Sequence, residues 1–402
     1  MTRRLLLSVS PGEVWAALVV ADELIELRLL RTGAEPRTGD IFLGRVIRIR
    51  RELSAVLIDI GATRPGFLSG EDMLPADHFE EGQAVIVQVT KEARADKAAG
   101  VTTKLGVNDA RRRSILSAAE KATPPSILEE RNIAVVVALK EFVESPLDEI
   151  VVDDAVAFAE ARAWLARNRP ELTAVLSHHR EKTSLFQTHG IGPSIDAALA
   201  PRLPLPDGGS LTIETLAAAT FIDVDSGRGS AHATNLAGAA LIARHIILRN
   251  LAGPIVIDFI GMKSRQDRQK LEEALAEGLA DEPHLQLLGW TRLGHFELAR
   301  KRKGVPLMEL LFEPSTLGFV KRPLTVALEA LRALQRQSEQ TPGRRFGIRA
   351  HRQVAIALEF DAIRARRELE ARLGYPIAIT DNREERHTYD IVPITTGNYH
   401  GT

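Results

Sequence analysis

Short apolar runs open the chain: Leu5 to Ser8 and Val14 to Val20 read as strands joined by an SPG turn, and Leu24 to Leu30 as a third. Three such strands are too little to fold alone. From GDIFLGRVIRIRRELSAVLIDIGATRPGFLSGEDM to EGQAVIVQVTKEARADKAAGVTTKL, β-rich runs alternate with glycine and charge. Five or so strands within about 65 residues are the size of an OB-fold, a small barrel whose open face commonly binds single-stranded nucleic acid. Val107 to Glu130, with Arg111, Arg112, Arg113 and the Pro124-Pro125 pair, lacks strand pattern and reads as a connector.

Beyond it the pattern turns α/β. IAVVVAL and EIVVDD read as strands, and DDAVAFAEARAWLARN as a helix with Asp153 or Asp154 as N-cap and Pro170 beyond its end. FQTHGIGPSIDAALA forms a further unit, and LPLPDGGS marks a boundary. SLTIETLAAATFIDVDSGRGS reads as two strands ending in a glycine-rich loop, NLAGAALIARHIILRNL as an amphipathic helix and PIVIDFIGM as a strand. RQDRQKLEEALAEGLA is a charged helix and HLQLLGW a strand, and HFELARKRKG is expected to end a helix. Two helical patterns, LTVALEALRALQRQ and VAIALEFDAIRARRELEARLG, precede an expected hairpin, PIAITDNREERHTYDIV.

Composition narrows the choices. A chain of 402 residues with 45% hydrophobic residues suits several globular domains, and 52 basic against 53 acidic residues leave any basic surface local. The absence of cysteine excludes disulfides, thiolate metal sites and cysteine nucleophiles. With no apolar stretch long enough for a bilayer, a cytoplasmic protein with no membrane partner is expected. There is no P-loop, G-x-S-x-G or dinucleotide fingerprint in its required context, and the histidines lack metal spacing.

The chemistry-bearing candidates are aspartates in apolar strands. Asp223 and Asp225 are two apart, so a strand puts them on one face, and Asp258 lies in PIVIDFIG, which otherwise reads as a fully buried strand. A buried carboxylate needs a cation, a hydrogen-bond network or a proton. Oxygen ligands at strand ends suit magnesium, which typically takes one or two carboxylates plus a phosphate oxygen, and so suggest phosphodiester hydrolysis. On this reading Asp223 and Asp258 hold the metal, and Asp225 orients the attacking water or adds a ligand. Arg228 and the amides of Gly227 to Ser230 hold the phosphate. The plainer alternative makes the aspartates caps or turn formers.

TFIDVDSGRGS, TNLAGAALIARHIILRNLAGPIVIDFIGM and RLGHFELARKRKG resemble the catalytic segments of the ribonuclease E/G family, and GDIFLGRV, IDIGATRPGFL and GQAVIVQVTKE resemble its RNA-binding domain. The resemblance implies an α/β (multi-domain α+β) protein. A ribonuclease-H-like fold (1–37 plus 125–205) is interrupted by an OB-fold (38–106). A deoxyribonuclease-I-like catalytic subdomain (206–305) and a linker with a small C-terminal domain (306–402) follow. It implies a magnesium-dependent endoribonuclease, with manganese as a substitute, cutting single-stranded RNA in rRNA or mRNA processing. Asp223 and Asp258 match the family's metal-binding aspartates. Phe67 matches one base-stacking aromatic, with Leu57 in place of the other. Arg64, Lys91 and Lys97, together with Arg228, Asn235, Arg300 and Arg302, complete the candidate RNA-binding residues, with solvated charge the plainer reading of the first three.

Departures shape the expectation. Asp225 stands where the family has asparagine, Gly261 where it has aspartate and Ala217 where it has glutamate. The domain that senses a 5′-monophosphate is replaced by the connector 107–124, so cleavage independent of that end is expected. The zinc-link C-P-x-C motif is absent, so no zinc link can form, and the apolar run Leu307 to Phe312 is left as the candidate packing surface for a homodimer through the C-terminal part. A non-catalytic RNA-binding protein assisting rRNA maturation is the alternative.

Overall fold

The computed structural model describes residues 2–31, 36, 38–62, 64–91, 93, 98–129, 134–181, 183–216, 218–280, 282–301, 305–315, 318–381 and 388–394. They form two compact units, each assembled from separated stretches of chain. One comprises Met1–Val9, Val14–Leu30 and Lys140–Arg322; the other comprises Ser10–Glu13, Arg31–Leu139 and Pro323–Thr402.

In the first unit the opening strand Arg3–Ser10 lies at the centre of a five-stranded sheet. It pairs in parallel with Glu149–Val152, placing Leu6 opposite Val151, and that strand pairs in parallel with Leu176–His178. The three N-terminal strands thus find their missing partners more than a hundred residues later. Asp154 caps the helix Ala155–Asn168 by accepting from the Ala157 amide at 2.9 Å. Its neighbour Asp153 accepts from Ser8 Oγ and the Val9 amide, both at 2.7 Å.

The same unit holds a six-stranded sheet in the order Arg202–Pro204, Ser210–Thr215, Thr220–Asp225, Gly253–Asp258, Phe296–Arg300, Leu285–Trp290. All neighbours are antiparallel except Thr220–Asp225 and Gly253–Asp258, the parallel pair joined across the helix Ala231–Leu248. That helix and Arg265–Gly278 cover one face, burying Ile222, Val224, Ile255, Ile257, Phe296 and Leu298 against Ala239, Ile242, Ile246, Leu271 and Leu275. On the strand carrying Asp223 burial alternates strictly, with Thr220, Ile222 and Val224 inside and Phe221, Asp223 and Asp225 outside.

In the second unit Ile41–Arg50 pairs with both Ala55–Asp59 and Ala84–Lys91, which closes a five-stranded barrel through Gly66–Ser69 and Gly100–Thr102. Gly44 makes closure feasible, since a Cβ there would lie 2.4 Å from Ile58 Cγ2 and 2.8 Å from the Asp59 carbonyl oxygen. Ser126–Glu129 adds a sixth strand against Ile41–Arg50. A separate core joins the helices Pro323–Gln340, Arg352–Glu359 and Ile363–Leu373 to a three-stranded sheet.

Several local expectations are corrected. The IAVVVAL run enters a helix, Ala134–Phe142, which buries Ala134, Val135, Val136, Ala138, Leu139 and Phe142 while Lys140 and Glu141 face solvent. Packing outvotes the β-propensity of its valines. HFELAR is a strand, with Phe296, Leu298 and Arg300 inside. The connector contains the helix Asp109–Lys121, capped by Asn108, whose Arg111 Nε donates to Glu129 Oε2 at 3.0 Å. The final strands do not form a hairpin with each other. Phe346–Ala350 lies between them, parallel to Ile379–Thr380 and antiparallel to Tyr389–Pro393. Leu307 and Leu311, expected to face a second subunit, are buried in the first unit's own core with Leu24 and Leu248. Among the described residues no helix is long and apolar enough to cross a membrane.

Candidate active site on an open sheet face

Helices cover one side of the six-stranded sheet, and on its other side Phe221, Asp223, Asp225 and Asp258 are exposed while Thr212, Val256 and Glu297 are half-buried. The parallel register sets Asp223 directly beside Asp258, and the antiparallel register sets Thr212 on the other side of Asp223. Neighbouring strands run about 4.8 Å apart, so the two carboxylates share one small patch. Asp258 was expected in a fully buried strand; instead its side chain is 62% exposed, and Asp223 and Asp225 are also exposed. The physical reason is the missing cover on this face, so full burial of Asp258 is not what demands a cation here.

Partial desolvation of Asp223 and like charge together supply a demand. The Asp223 carboxyl is held above the usual carboxylate range, first by its partial burial and then by the negative charges of Asp225 and Asp258. Asp225 has its own counter-charge: its Oδ2 accepts from Ser210 Oγ at 3.2 Å and lies 3.6 Å from Arg202, which also donates to Ser210 at 2.9 Å. His295 Nε2 lies 3.8 Å from Asp258 Oδ2. One row along the same face, Val256 pairs with Phe221 on one side and Glu297 on the other. Arg202, Ser210, His295 and Glu297 were not singled out from sequence. The alternation in HFELAR, taken as a strand, would have placed His295 and Glu297 on one face.

The glycine-rich loop is tightly held. A Cβ on Gly227 would lie 2.1 Å from the Asp207 carbonyl oxygen and 2.4 Å from the Gly209 nitrogen, so this position admits only glycine. The Arg228 amide donates to the Asp207 carbonyl at 2.8 Å and is therefore not free for a phosphate, whereas the Arg228 side chain is exposed. Ser230 caps the following helix through the Ala233 amide at 3.2 Å.

Two expected RNA contacts prove to be internal. Asn235 is 0% exposed, donating from Nδ2 to the Ile260 carbonyl at 2.8 Å and accepting from the Ile260 amide at 3.0 Å. It holds the segment that follows Asp258 and has no surface to offer RNA. Arg300 is 1% exposed, with Glu282 at 2.7 Å and bonds to Asn250 Oδ1 and the Leu251 carbonyl at 2.8 and 3.0 Å. Its place in a strand facing the core turns both terminal guanidinium nitrogens to internal partners. On the barrel, Phe67 and Leu57 are direct cross-strand partners, both half-buried, and Arg64 and Lys91 are exposed. Lys97 and Arg302 lie outside the described residues, as does Ala217.

Among the described residues no group of three or more His, Cys, Asp or Glu side chains converges to hold a metal ion. The adjacent pair Asp223 and Asp258 nevertheless fits a magnesium ion that keeps most of its waters and takes a phosphate oxygen from its substrate.

The fold is thus a mixed α/β protein with a closed five-stranded barrel and a separate sheet face on which two aspartates stand side by side. The chain belongs to the ribonuclease E/G family, whose model matches residues 74–303. It is similar to ribonuclease G of Salmonella typhimurium (strain SL1344), 25% identical over 94% of this chain and 97% of that protein. Its identity with ribonuclease E of Escherichia coli (strain K12) is 26%, over 84% of this chain but only 41% of that protein, so it spans well under half of the latter's length. Ribonuclease G of Haemophilus influenzae is 25% identical over 83% of the chain and 87% of that protein.

Proposed function

We propose that this protein is a magnesium-dependent endoribonuclease that hydrolyses phosphodiester bonds in single-stranded RNA during cytoplasmic rRNA or mRNA processing, with manganese as a substitute metal. The observation that carries the reading is the side-by-side register of Asp223 and Asp258 on an open face, in a chain of the ribonuclease E/G family. In this reading the five-stranded sheet is the ribonuclease-H-like part and the six-stranded sheet the deoxyribonuclease-I-like part.

Asp223 and Asp258 would hold the metal, which when bound polarises a phosphate oxygen and lowers the pKa of water. Asp225, braced by Ser210 and Arg202, orients the attacking water from the same face. The exposed Arg228 side chain supplies positive charge for the phosphate. The barrel face bearing Phe67, with Arg64 and Lys91, grips the single strand by stacking and charge. A short capped helix stands where a 5′-sensing domain would be, which supports cleavage indifferent to the 5′ end. Leu307 and Leu311 are spent in the chain's own core, so a homodimer would need another surface.

The rival reading is an RNA-binding protein that does not cut, favoured by the extra charge of Asp225 beside Asp223. Purified protein is incubated with an RNA containing an AU-rich single strand in magnesium, manganese or EDTA, beside Asp223→Ala and Asp258→Ala. Metal-dependent cuts absent from both variants support the nuclease, and RNA bound but intact in every metal supports the rival. Substrates with 5′-monophosphate and 5′-triphosphate ends are expected to be cut at equal rates.

A further inference from the structure

One aromatic ring stands on the acidic face. In the Thr220–Asp225 strand Thr220 is 1% exposed while Phe221 is 46% exposed, the reverse of what burial alone would choose. The parity is set by Ile222 and Val224, which join the core under the helices and leave Phe221 on the outer face with Asp223 and Asp225. Two residues along a strand span about 7 Å, so the ring is the next side chain after Asp223 in the same file.

Across the sheet, the row through Phe221 runs from Glu214 on one side to Val256 and then Glu297 on the other. Residues paired in this way project from the same face. Glu214 is exposed and Glu297 half-buried, so this row repels a phosphate while offering an apolar π-surface beside Val256. The neighbouring row, with Asp223 beside Asp258, is where the scissile phosphate lies if the proposed cleavage site is correct. The base carried by that stretch of backbone then falls on the ring.

We propose that Phe221 is a stacking platform for the nucleobase flanking the scissile phosphate, a subsite built into the catalytic sheet and separate from the barrel. This rests on the reading of Asp223 and Asp258 as the cleavage site. Stacking holds the strand where its phosphate meets the carboxylates, and it tolerates any base because every base has a π-face.

The test uses RNA with 2-aminopurine moved one position at a time across a cut site, titrated in EDTA with wild-type protein, Phe221→Ala and Phe221→Tyr. The same proteins are assayed for cutting in magnesium, and their melting curves are compared. The subsite predicts quenching at one flanking position that is lost in Phe221→Ala and kept in Phe221→Tyr. Loss of one stacked base lowers kcat/KM roughly 5- to 150-fold in Phe221→Ala, whereas Phe221→Tyr stays within about threefold of wild type. A Phe221→Ala protein that quenches and cuts like wild type overturns the subsite and leaves the cleavage site standing. Slower cutting with unchanged quenching also overturns it, since the ring would then act through the fold. Wild-type protein that neither binds nor cuts RNA overturns both readings.

Discussion

Replacing Asn235 with alanine separates a structural from an RNA-binding role. The side chain is fully buried and bridges both polar groups of one peptide residue, the Ile260 amide at 3.0 Å and its carbonyl at 2.8 Å. Asn235→Ala removes both partners at once and leaves an N–H and a C=O without a replacement. At about 1–3 kcal/mol for each unsatisfied buried group, the loss is about 2–6 kcal/mol. Asn235→Asp restores the acceptor but removes the donor and brings a charge into a site with no exposure, so it is expected to be no better. Trp290 reports on this unit, with its ring 6.0 Å from Phe259 and 5.3 Å from Phe296. In urea followed by tryptophan fluorescence, the midpoint should fall by about 1–3 M for a slope of about 2 kcal/mol/M. Because Ile260 lies two residues beyond Asp258, the protein that remains folded should bind RNA normally but cut it more slowly. A variant with the wild-type midpoint and an RNA affinity reduced tenfold would refute the reasoning and restore Asn235 as an RNA contact.

Arg300→Ala removes the 2.7 Å contact with Glu282 and the bonds to Asn250 and the Leu251 carbonyl from a site 1% exposed, and is expected to cost about 1.5–3 kcal/mol in urea titration, with RNA affinity per folded molecule unchanged; selective loss of RNA binding would contradict this. His245 is buried and its Nδ1 accepts from Arg249 Nε at 3.0 Å, and burial followed by the charges of Arg249 and Arg244 lowers its pKa to about 3. Its folded pKa lies below the unfolded value, so its neutral form favours folding above about pH 6.5, and that contribution is lost as pH falls from there towards 3. His245→Gln should therefore flatten the acid decline in stability between those limits, seen as a smaller drop in urea midpoint from pH 7 to pH 5; an unchanged drop would show that other groups cause it. Asp225→Asn breaks a pair whose side chains are 69% and 55% exposed, so stability should change by less than about 1 kcal/mol. It also removes the strongest like-charge effect on Asp223, second only to burial, which should let that carboxyl lose its proton more readily and move the acid limb of cleavage to lower pH; an unmoved limb would mean Asp223 does not set it.

The chain's local pattern made the β-barrel segment, the helix Ala231–Leu248 and the strand TFIDVD legible, because period-two and helical spacing are properties of neighbouring residues. The common face of Asp223 and Asp225 followed from their spacing alone. Short apolar runs were less secure: IAVVVAL and HFELAR each admit two periods, and which was adopted depended on what lay against them.

Sequence by itself therefore determined the candidate carboxylates, the family resemblance and the side of the strand on which Asp223 and Asp225 stand. Only the tertiary structure decided that Asp258 comes level with Asp223, that their sheet face stays open, and that Asn235 and Arg300 turn inward. The difference is physical. Alternation along one strand is local geometry, whereas register between strands and the choice of covered face come from packing among segments far apart in the chain, which no local pattern encodes.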